Sequence, residues 1–340
     1  MRHINIPIFI PHLGCPNDCV FCNQRSISGH GDFEIATVRK EIDQVLSTVR
    51  EDDVCEIAFF GGSFTGIDRS LMVSLLDIAE EYIEKSGGRI GSIRLSTRPD
   101  YINEEILDIL GRYSVKTIEL GLQSMDDDVL LASRRGHGSD VAKKASRLIK
   151  ERGFSLVGQM MIGLPSATVE SEVMTAEIIC SLGADAARVY PTVVFYETEL
   201  CLMAERGEYK PLTTDEAVAR CARVLDVFDR HRVPCIRVGL CSSDNLSSED
   251  KVYGGANHAA IGELAMSELY FERICERLDN LENSDFEGKI LTVSVATGYV
   301  SKAVGQNKKN KVRLCQKYGF KRIKVLEKKD ILGYNIDITF

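Results

Sequence analysis

Gly14-Cys15-Pro16-Asn17-Asp18-Cys19-Val20-Phe21-Cys22 follows almost directly on the apolar run Ile4 to Ile10, and the fold is read outward from this stretch. Its three cysteines are spaced C-x3-C-x2-C, on a loop leaving an expected strand. Thiolates packed this closely can hold three corners of a metal cluster, and the loop supplies no fourth ligand of its own. Structural zinc sites want four ligands, usually from two separated pairs, and the nearby His12 and His30 sit at no familiar pairing. A [4Fe-4S] cluster is normally held by four thiolates, so three leave one iron open to an outside ligand. A zinc site and three unrelated buried thiols are the plainer alternatives. The other eight cysteines are scattered singly through apolar stretches and read as small buried hydrophobes.

The chain has 340 residues, enough for one α/β core with an appendage. Its apolar runs are far shorter than a membrane span, and no apolar leader precedes a small-residue cleavage site, so the expectation is a cytoplasmic protein without membrane contact. Eleven cysteines without a secretory signal argue for reduced thiols and a metal rather than a disulfide framework. The net charge of −8 is unevenly spread. Phe286 to Phe340 carries 12 Lys/Arg against 4 Asp/Glu, whereas the rest of the chain carries 30 against 46. An acidic body with a basic tail points to a polyanionic partner.

From Ile4 to Val238, short β-branched runs alternate with amphipathic helical patterns. Strands are expected at Ile4–Ile10, Val54–Phe60, Arg89–Ser96, Val115–Leu120, Phe154–Met161, Ala187–Val194 and Cys235–Val238. Helices are expected at Ile35–Arg50, Arg69–Lys85, Glu104–Gly111, Ser139–Arg152, Val169–Leu182 and Thr214–His231. Such alternation implies parallel βαβ units. About six of them fall short of an eight-strand barrel, so the fold expected is α/β, a partial (β/α)6-type barrel whose strand-end loops carry the chemistry. The organisation expected is a core over 1–240, a helical extension and linker over 241–285, and a small basic α+β unit over 286–340. In that last unit the patterns read strand Ile290–Ala296, helix Ser301–Tyr318, and strands Arg322–Leu326 and Ile331–Ile338.

The strand ends hold polar or glycine-bearing sequences in a set order. Gly61-Gly62-Ser63-Phe64-Thr65 follows the second strand, where glycines let backbone approach a ligand closely, although an ordinary βα turn explains them as well. Arg98-Pro99-Asp100 follows the third; Asp100 suits an N-cap for the helix starting near Asn103, and Arg98 is left without a structural reason. Glu119 to Ser124 ends the fourth strand, then come Arg134-Arg135-Gly136-His137, Met161-Ile162-Gly163-Leu164-Pro165 and Arg188-Val189-Tyr190-Pro191-Thr192.

With its aromatic Phe21 before the last cysteine, the compact cysteine loop resembles that of the radical S-adenosylmethionine (SAM) family. The block from Arg94 to about Val218 resembles the radical SAM half of the Elongator catalytic subunit, with a weaker likeness to the oxygen-independent coproporphyrinogen oxidases. Two departures are plain: the Elongator subunit spaces its first two cysteines further apart, and no acetyl-CoA pyrophosphate loop is seen here. The resemblance implies a [4Fe-4S] cluster on Cys15, Cys19 and Cys22, with SAM on the open iron. It also implies SAM contacts from Phe21, Gly61, Gly62, Thr65, Glu119, Gln123 and Arg98, with His137 and Tyr190 at the mouth. An external one-electron donor of flavodoxin or ferredoxin type would drive reductive cleavage of SAM to a 5′-deoxyadenosyl radical.

The tail bears on the substrate. Gly305-Gln306-Asn307-Lys308-Lys309-Asn310-Lys311-Val312-Arg313 is a basic, glycine-led turn opening a helix, and it resembles the clamp of a KH-type RNA-binding unit, with Lys308 in place of the second glycine. Lys308, Lys309, Lys311 and Arg313 are then the candidate phosphate contacts, and a tRNA or other RNA base the candidate substrate. A solvated structural cap is the competing reading of the same residues. A small-molecule or porphyrin-like substrate, and a non-catalytic iron-sulfur sensor, are the competing functions.

Overall fold

The structure is a computed structural model that describes residues 2–10, 13–15, 19–22, 33–50, 52–240, 251–281 and 285–340. His12, His30 and parts of the expected extension and linker over 241–285 (241–250 and 282–284) lie outside the described residues.

The chain alternates strand and helix as its periodicity requires. β1 (His3–Phe9), α1 (Ile35–Leu46), β2 (Val54–Phe60), α2 (Arg69–Lys85), β3 (Ile90–Thr97), α3 (Glu104–Leu110) and β4 (Val115–Gln123) come first. They are followed by α4 (Asp127–Ala132), α5 (Ser139–Glu151), β5 (Ser155–Ile162), α6 (Val169–Ser181) and β6 (Ala186–Pro191). Then come β7 (Val193–Phe195), α7 (Glu199–Glu205), α8 (Thr214–Arg230), β8 (Cys235–Val238), β9 (Val252–Gly255) and α9 (Ile261–Asp279). Several helices start on the side chain their sequence offers: Asp68, Asn103, Asp126, Thr168, Thr198 and Thr213 each accept backbone N–H bonds at a helix N-terminus. The cap of α3 is therefore Asn103 and not Asp100.

Seven strands form one parallel sheet in the order β1-β2-β3-β4-β5-β6-β8. The α/β partial barrel is thus present, with Cys235–Val238 as a seventh strand beyond the six units. Alternation along each strand sorts the two faces. Ile6, Ile8, Ile57, Phe59, Ile93, Leu95, Ile118, Leu120, Leu156, Met160 and Val189 join the helices in one apolar core. The opposite face carries Asn5, Glu56, Arg94, Glu119, Gln123, Gln159, Arg188, Tyr190 and Arg237. A closed barrel fills its interior with branched apolar side chains; this one lines it with hydrogen-bonding groups.

The polar face is the concave one, and contacts across it show the curl. In a flat sheet β2 and β6 would stand about 19 Å apart, at about 4.8 Å per strand. Yet the Arg188 guanidinium of β6 lies 5.5 Å from the Phe60 ring centroid of β2. Between them, Arg94 donates to Glu56 and Glu119 at 2.7 Å each, and Arg188 meets Glu119 at 2.9 Å.

The expected single strand Ala187–Val194 is two. Thr192 donates both its backbone N–H (2.8 Å) and its hydroxyl (2.7 Å) to the Ile162 carbonyl, which turns the chain out of the sheet. β7 then pairs antiparallel with β9 as a small ribbon.

The tail comprises β10 (Ile290–Ala296), α10 (Val300–Val304), α11 (Lys309–Tyr318), β11 (Arg322–Lys328) and β12 (Asp337–Thr339). The three strands lie in the order β11-β10-β12, with β11 parallel and β12 antiparallel to β10. The expected helix Ser301–Tyr318 is broken at Gly305–Lys308, where Gly305, Asn307 and Lys308 all have positive φ (75°, 51° and 61°). α9 serves both units. Ala265 and Leu269 join the main core, whereas Tyr270, Ile274, Cys275 and Leu278 pack with Leu291, Val293, Leu314 and Phe320 of the tail.

Candidate functional site

The cysteine loop leaves the C-terminal end of β1 and is pinned by a seam of glycines. A Cβ on Gly62 would lie 2.3 Å from the Leu13 carbonyl oxygen, one on Gly14 2.4 Å from that of Ser63, and one on Gly66 2.4 Å from that of Gly14. No side chain fits at such distances, so the loop and the β2–α2 turn touch backbone to backbone. The Ser63 N–H donates to the Leu13 carbonyl at 3.1 Å across this seam. Thr65 is buried, its hydroxyl shared between the Thr97 hydroxyl (2.7 Å) and the Tyr101 carbonyl (2.9 Å), which ties the turn to the end of β3. Gly61 has φ 104°, a conformation glycine adopts without strain.

Farther along, Val20 N–H donates to the Ser133 carbonyl, and Leu200 N–H to the Val20 carbonyl. Phe21 packs at the edge of an apolar cluster of Val20, Val194, Leu200 and Cys201. Cys19 is buried and Cys15 and Cys22 are half-buried.

Two arginines flank these sulfurs. Arg98 places Nη1 3.9 Å from Cys15 Sγ and 3.8 Å from Cys19 Sγ, while its Nε and Nη2 form a fork on Asp100 at 2.9 Å each. Burial acts to raise the Asp100 pKa, and the Arg98 fork outweighs it, holding the carboxyl below its ordinary range. Arg98 Nη2 also donates to the Arg135 carbonyl at 2.6 Å. Arg135 places Nη1 3.5 Å from Cys19 Sγ and donates Nη2 to the Gly121 carbonyl at 2.6 Å, with its buried Nε unpartnered. The residue before α5, Gly138, bonds to His137 Nδ1 at 3.2 Å; burial first, then Arg135, pushes the His137 pKa down, so the imidazole is neutral.

Gln123 is buried at φ 67° with Oε1 unpartnered, beside Gly121. A Cβ on Gly121 would stand 3.0 Å from Gln123 Nε2 and 3.2 Å from Arg135 Nη2. Glu119 sits deeper, its carboxylate held by Arg94 and Arg188. Tyr190 accepts from Arg188 Nη1 at 3.2 Å, and burial pushes its phenol pKa up. The arrangement brings together Cys15, Cys19, Arg98, Gly61, Gly62 and Thr65 at one end of the sheet, and leaves Glu119 one layer below.

Arg135 was passed over by the sequence reading. It stood in a quoted motif beside Arg134, and nothing local distinguishes the buried arginine from the exposed one, which pairs with Glu199.

The donor set suits an iron-sulfur cluster. Thiolates are the ligating form in such clusters, and two guanidiniums lie beside the sulfurs as hydrogen-bond donors. Among the described residues no three His, Cys, Asp or Glu side chains close on a single ion; a cluster distributes its thiolates over separate irons and has no such requirement. The unpartnered Gln123 Oε1 and Arg135 Nε are polar groups waiting for a polar ligand beside those cysteines.

The profile of the Radical SAM superfamily matches residues 9–179, half of the chain. The chain belongs to the radical SAM superfamily. Membership implies SAM and a [4Fe-4S] cluster as cofactors and makes the protein a radical SAM enzyme. A radical SAM C-terminal domain profile matches residues 184–272.

Among its relatives, an uncharacterised protein of Methanocaldococcus jannaschii is 29% identical over 73% of this chain and 77% of that one. The tRNA uridine(34) acetyltransferase of Methanocaldococcus infernus is 28% identical over 60% of this chain and 46% of that one. Elongator complex protein 3 of Schizosaccharomyces pombe is 26% identical over 63% and 47%. The solved structure of Elp3 from M. infernus shares the fold, with a TM-score of 0.62 and 21% identity over 80% of this chain and 63% of that one. This radical SAM enzyme is thus related to Elongator-type tRNA-modification enzymes, and spans just under half the length of the tRNA uridine(34) acetyltransferase and the Elongator relative. Among the described residues no helix is long and apolar enough to cross a membrane.

Proposed function

We propose that this radical SAM enzyme modifies an RNA base, in tRNA foremost, with Cys15, Cys19 and Cys22 holding the cluster and residues 286–340 holding the RNA. The observation that carries the RNA reading is the turn between α10 and α11. Its backbone doubles back through three positive-φ residues, and the exposed Lys308 and Lys309, with half-buried Lys311, make no ion pair among the described residues. A helix–turn–helix between two parallel strands, led by Gly305 and opening on these lysines, suits a phosphate backbone. Arg313 leaves the candidate set. It forks onto Glu268 of α9 and stacks 3.5 Å from the Phe271 ring centroid, so it fastens the tail to the core. The name of the M. infernus relative supports the choice of tRNA.

Bound together, cluster and SAM supply reductive cleavage of the SAM C5′–S bond and radical hydrogen abstraction. The chain's own part is positioning. Arg98 and Arg135 donate toward the cysteine sulfurs; Phe21, Gly61, Gly62 and Gln123 would surround SAM; Thr65 and Glu119 act beneath as supports for the β2–α2 turn and for Arg188. His137 and Tyr190 stand at the mouth, the first neutral by burial. A core over 1–240, a connecting region over 241–285 and a basic unit over 286–340 belong to the same proposal, as do a cytoplasmic setting and an external one-electron donor.

The test is filter binding of total tRNA to the full chain and to a Lys308→Ala/Lys309→Ala/Lys311→Ala variant at low and moderate salt. The variant is expected to bind about tenfold or more weakly at low salt and with a flatter salt slope. Equal binding and slope overturn the role of the tail. Tandem mass spectrometry of tRNA nucleosides from cells with and without the gene tests the substrate; identical profiles overturn it.

A further inference from the structure

We infer that Arg237, with Tyr190 and Arg188, forms an oxyanion site that grips the substrate at the open edge of the half-barrel, an inference that rests on the concave face being the reaction chamber. Arg188 and Arg237 are in-register partners on the adjacent parallel strands β6 and β8, so their side chains leave the same face about 4.8 Å apart at the backbone. Two like charges side by side are unfavourable unless something neutralises both. Among the described residues the concave-face strands offer two carboxylates, Glu56 and Glu119, and both are taken: Glu56 by Arg94, Glu119 by Arg94 and Arg188. Arg237 makes no ion pair among the described residues. Its side chain donates from Nε to the Gly239 carbonyl at 3.2 Å, and among the described residues the two Nη groups meet no acceptor.

Around this cation the groups are donors in excess. Arg188 Nε is buried with no partner. The Tyr190 oxygen already accepts from Arg188, so the phenol proton is free to be donated; burial, against the opposing pull of Arg188 and Arg237, keeps that proton on. Guanidinium and phenol donors on neighbouring strands, with Arg188 Nε unpartnered among the described residues, are what a carboxylate or phosphodiester completes, and arginine's planar fork matches either oxyanion with two parallel bonds. The position also suits the geometry. β8 is the last strand of the sheet, so the anion would sit at the open side of the chamber. RNA brings a phosphodiester next to the reacting base, and a small acid would bring a carboxylate.

The test uses the anaerobically reconstituted full chain carrying the three lysine-to-alanine changes of the tail, so that phosphate bound there does not contribute. Dimethyl phosphate stands for a phosphodiester and acetate for a carboxylate, each titrated calorimetrically into this background and into the same background with Arg237→Gln. Arg237 is the residue to change because it leaves no carboxylate stranded. Binding of at least one probe, weakened about tenfold or more by Arg237→Gln and a few-fold by Tyr190→Phe, with the thermal midpoint and the KM for SAM unchanged, is the expected result. Preference for dimethyl phosphate assigns a nucleic-acid backbone, and preference for acetate a carboxylate substrate. Absence of binding by both probes, equal binding by the variant, or a rise in the KM for SAM overturns the site. SAM cleavage by the parent, measured with dithionite in the same preparation, reports separately on the enzyme reading.

Discussion

At the scale of single residues, the glycines carry more than their size suggests. Gly62 has its missing Cβ pointed at the Leu13 and Ile10 carbonyl oxygens, 2.3 and 2.7 Å away. Gly62→Ala is therefore expected to push the cysteine loop off the β2–α2 turn, lowering stability by roughly 1–3 kcal/mol and lowering iron content after reconstitution. A denaturant midpoint and an iron assay check the two, and normal iron with normal stability defeats the explanation. Arg135 acts through charge. Arg135→Met removes a donor 3.5 Å from Cys19 Sγ, so the cluster's midpoint potential is expected to fall, because bonds to cluster sulfurs help set it; an unchanged potential in a redox titration counts against the contact. The C-x3-C-x2-C spacing marked out Cys15, Cys19 and Cys22 as candidate ligands and left the kind of site open. The difference between Arg134 and Arg135 was not legible, because it is made by a contact with Cys19, 116 residues away in sequence.

Elements were legible where one local rule decides them. α2, β2 and β10 fall within the ranges their periodicity sets. Three misreadings, at Thr192, at Gly305–Lys308 and over Ile331–Ile338, share a cause: an apolar or amphipathic pattern runs on while the backbone turns. The turn is driven by a distant carbonyl in the first case and by positive φ in the second and at Gly333 (φ 59°) in the third, where the strand is only Asp337–Thr339. α6 shows how an element sets up a strand end. Its Glu172 accepts the Gly163 N–H at 2.7 Å and Arg220 Nη1 at 3.1 Å, holding the loop after β5. Burial raises the Glu172 pKa above the ordinary 4.5, against the pull of both donors. A raised folded-state value means its contribution is full below the unfolded pKa and lost as the pH climbs through the folded one. Wild type is thus expected to lose stability relative to Glu172→Gln as the pH rises from about 4.5 toward neutrality, checked by urea unfolding across that range; parallel curves refute the assignment.

For the molecule as a whole, α9 is the shared wall between the sheet and the basic tail, and its charges do the fastening. Arg273 meets Asp226 at 2.7 Å and Asp229 at 2.8 Å, with its guanidinium 5.9 Å from the Tyr334 ring centroid of the tail. Arg273→Met is expected to cost about 2–3 kcal/mol, below the roughly 3–5 typical when a fully buried pair is broken, since both aspartates keep some exposure. Hydrogen exchange should show the loss first at the amides of β10 and β11; protection lost evenly over the chain contradicts the seam.

The seven-strand sheet, curled enough to bring Arg188 against Phe60 and with β1 and β8 left unjoined among the described residues, also fixes a scale of admission. A sealed cylinder passes only what fits its bore, and so sets a ceiling on the molecular weight of what it transforms. A cylinder with its side left open sets no such ceiling: a body far larger than the protein can lean along the gap and dip one flat ring inside.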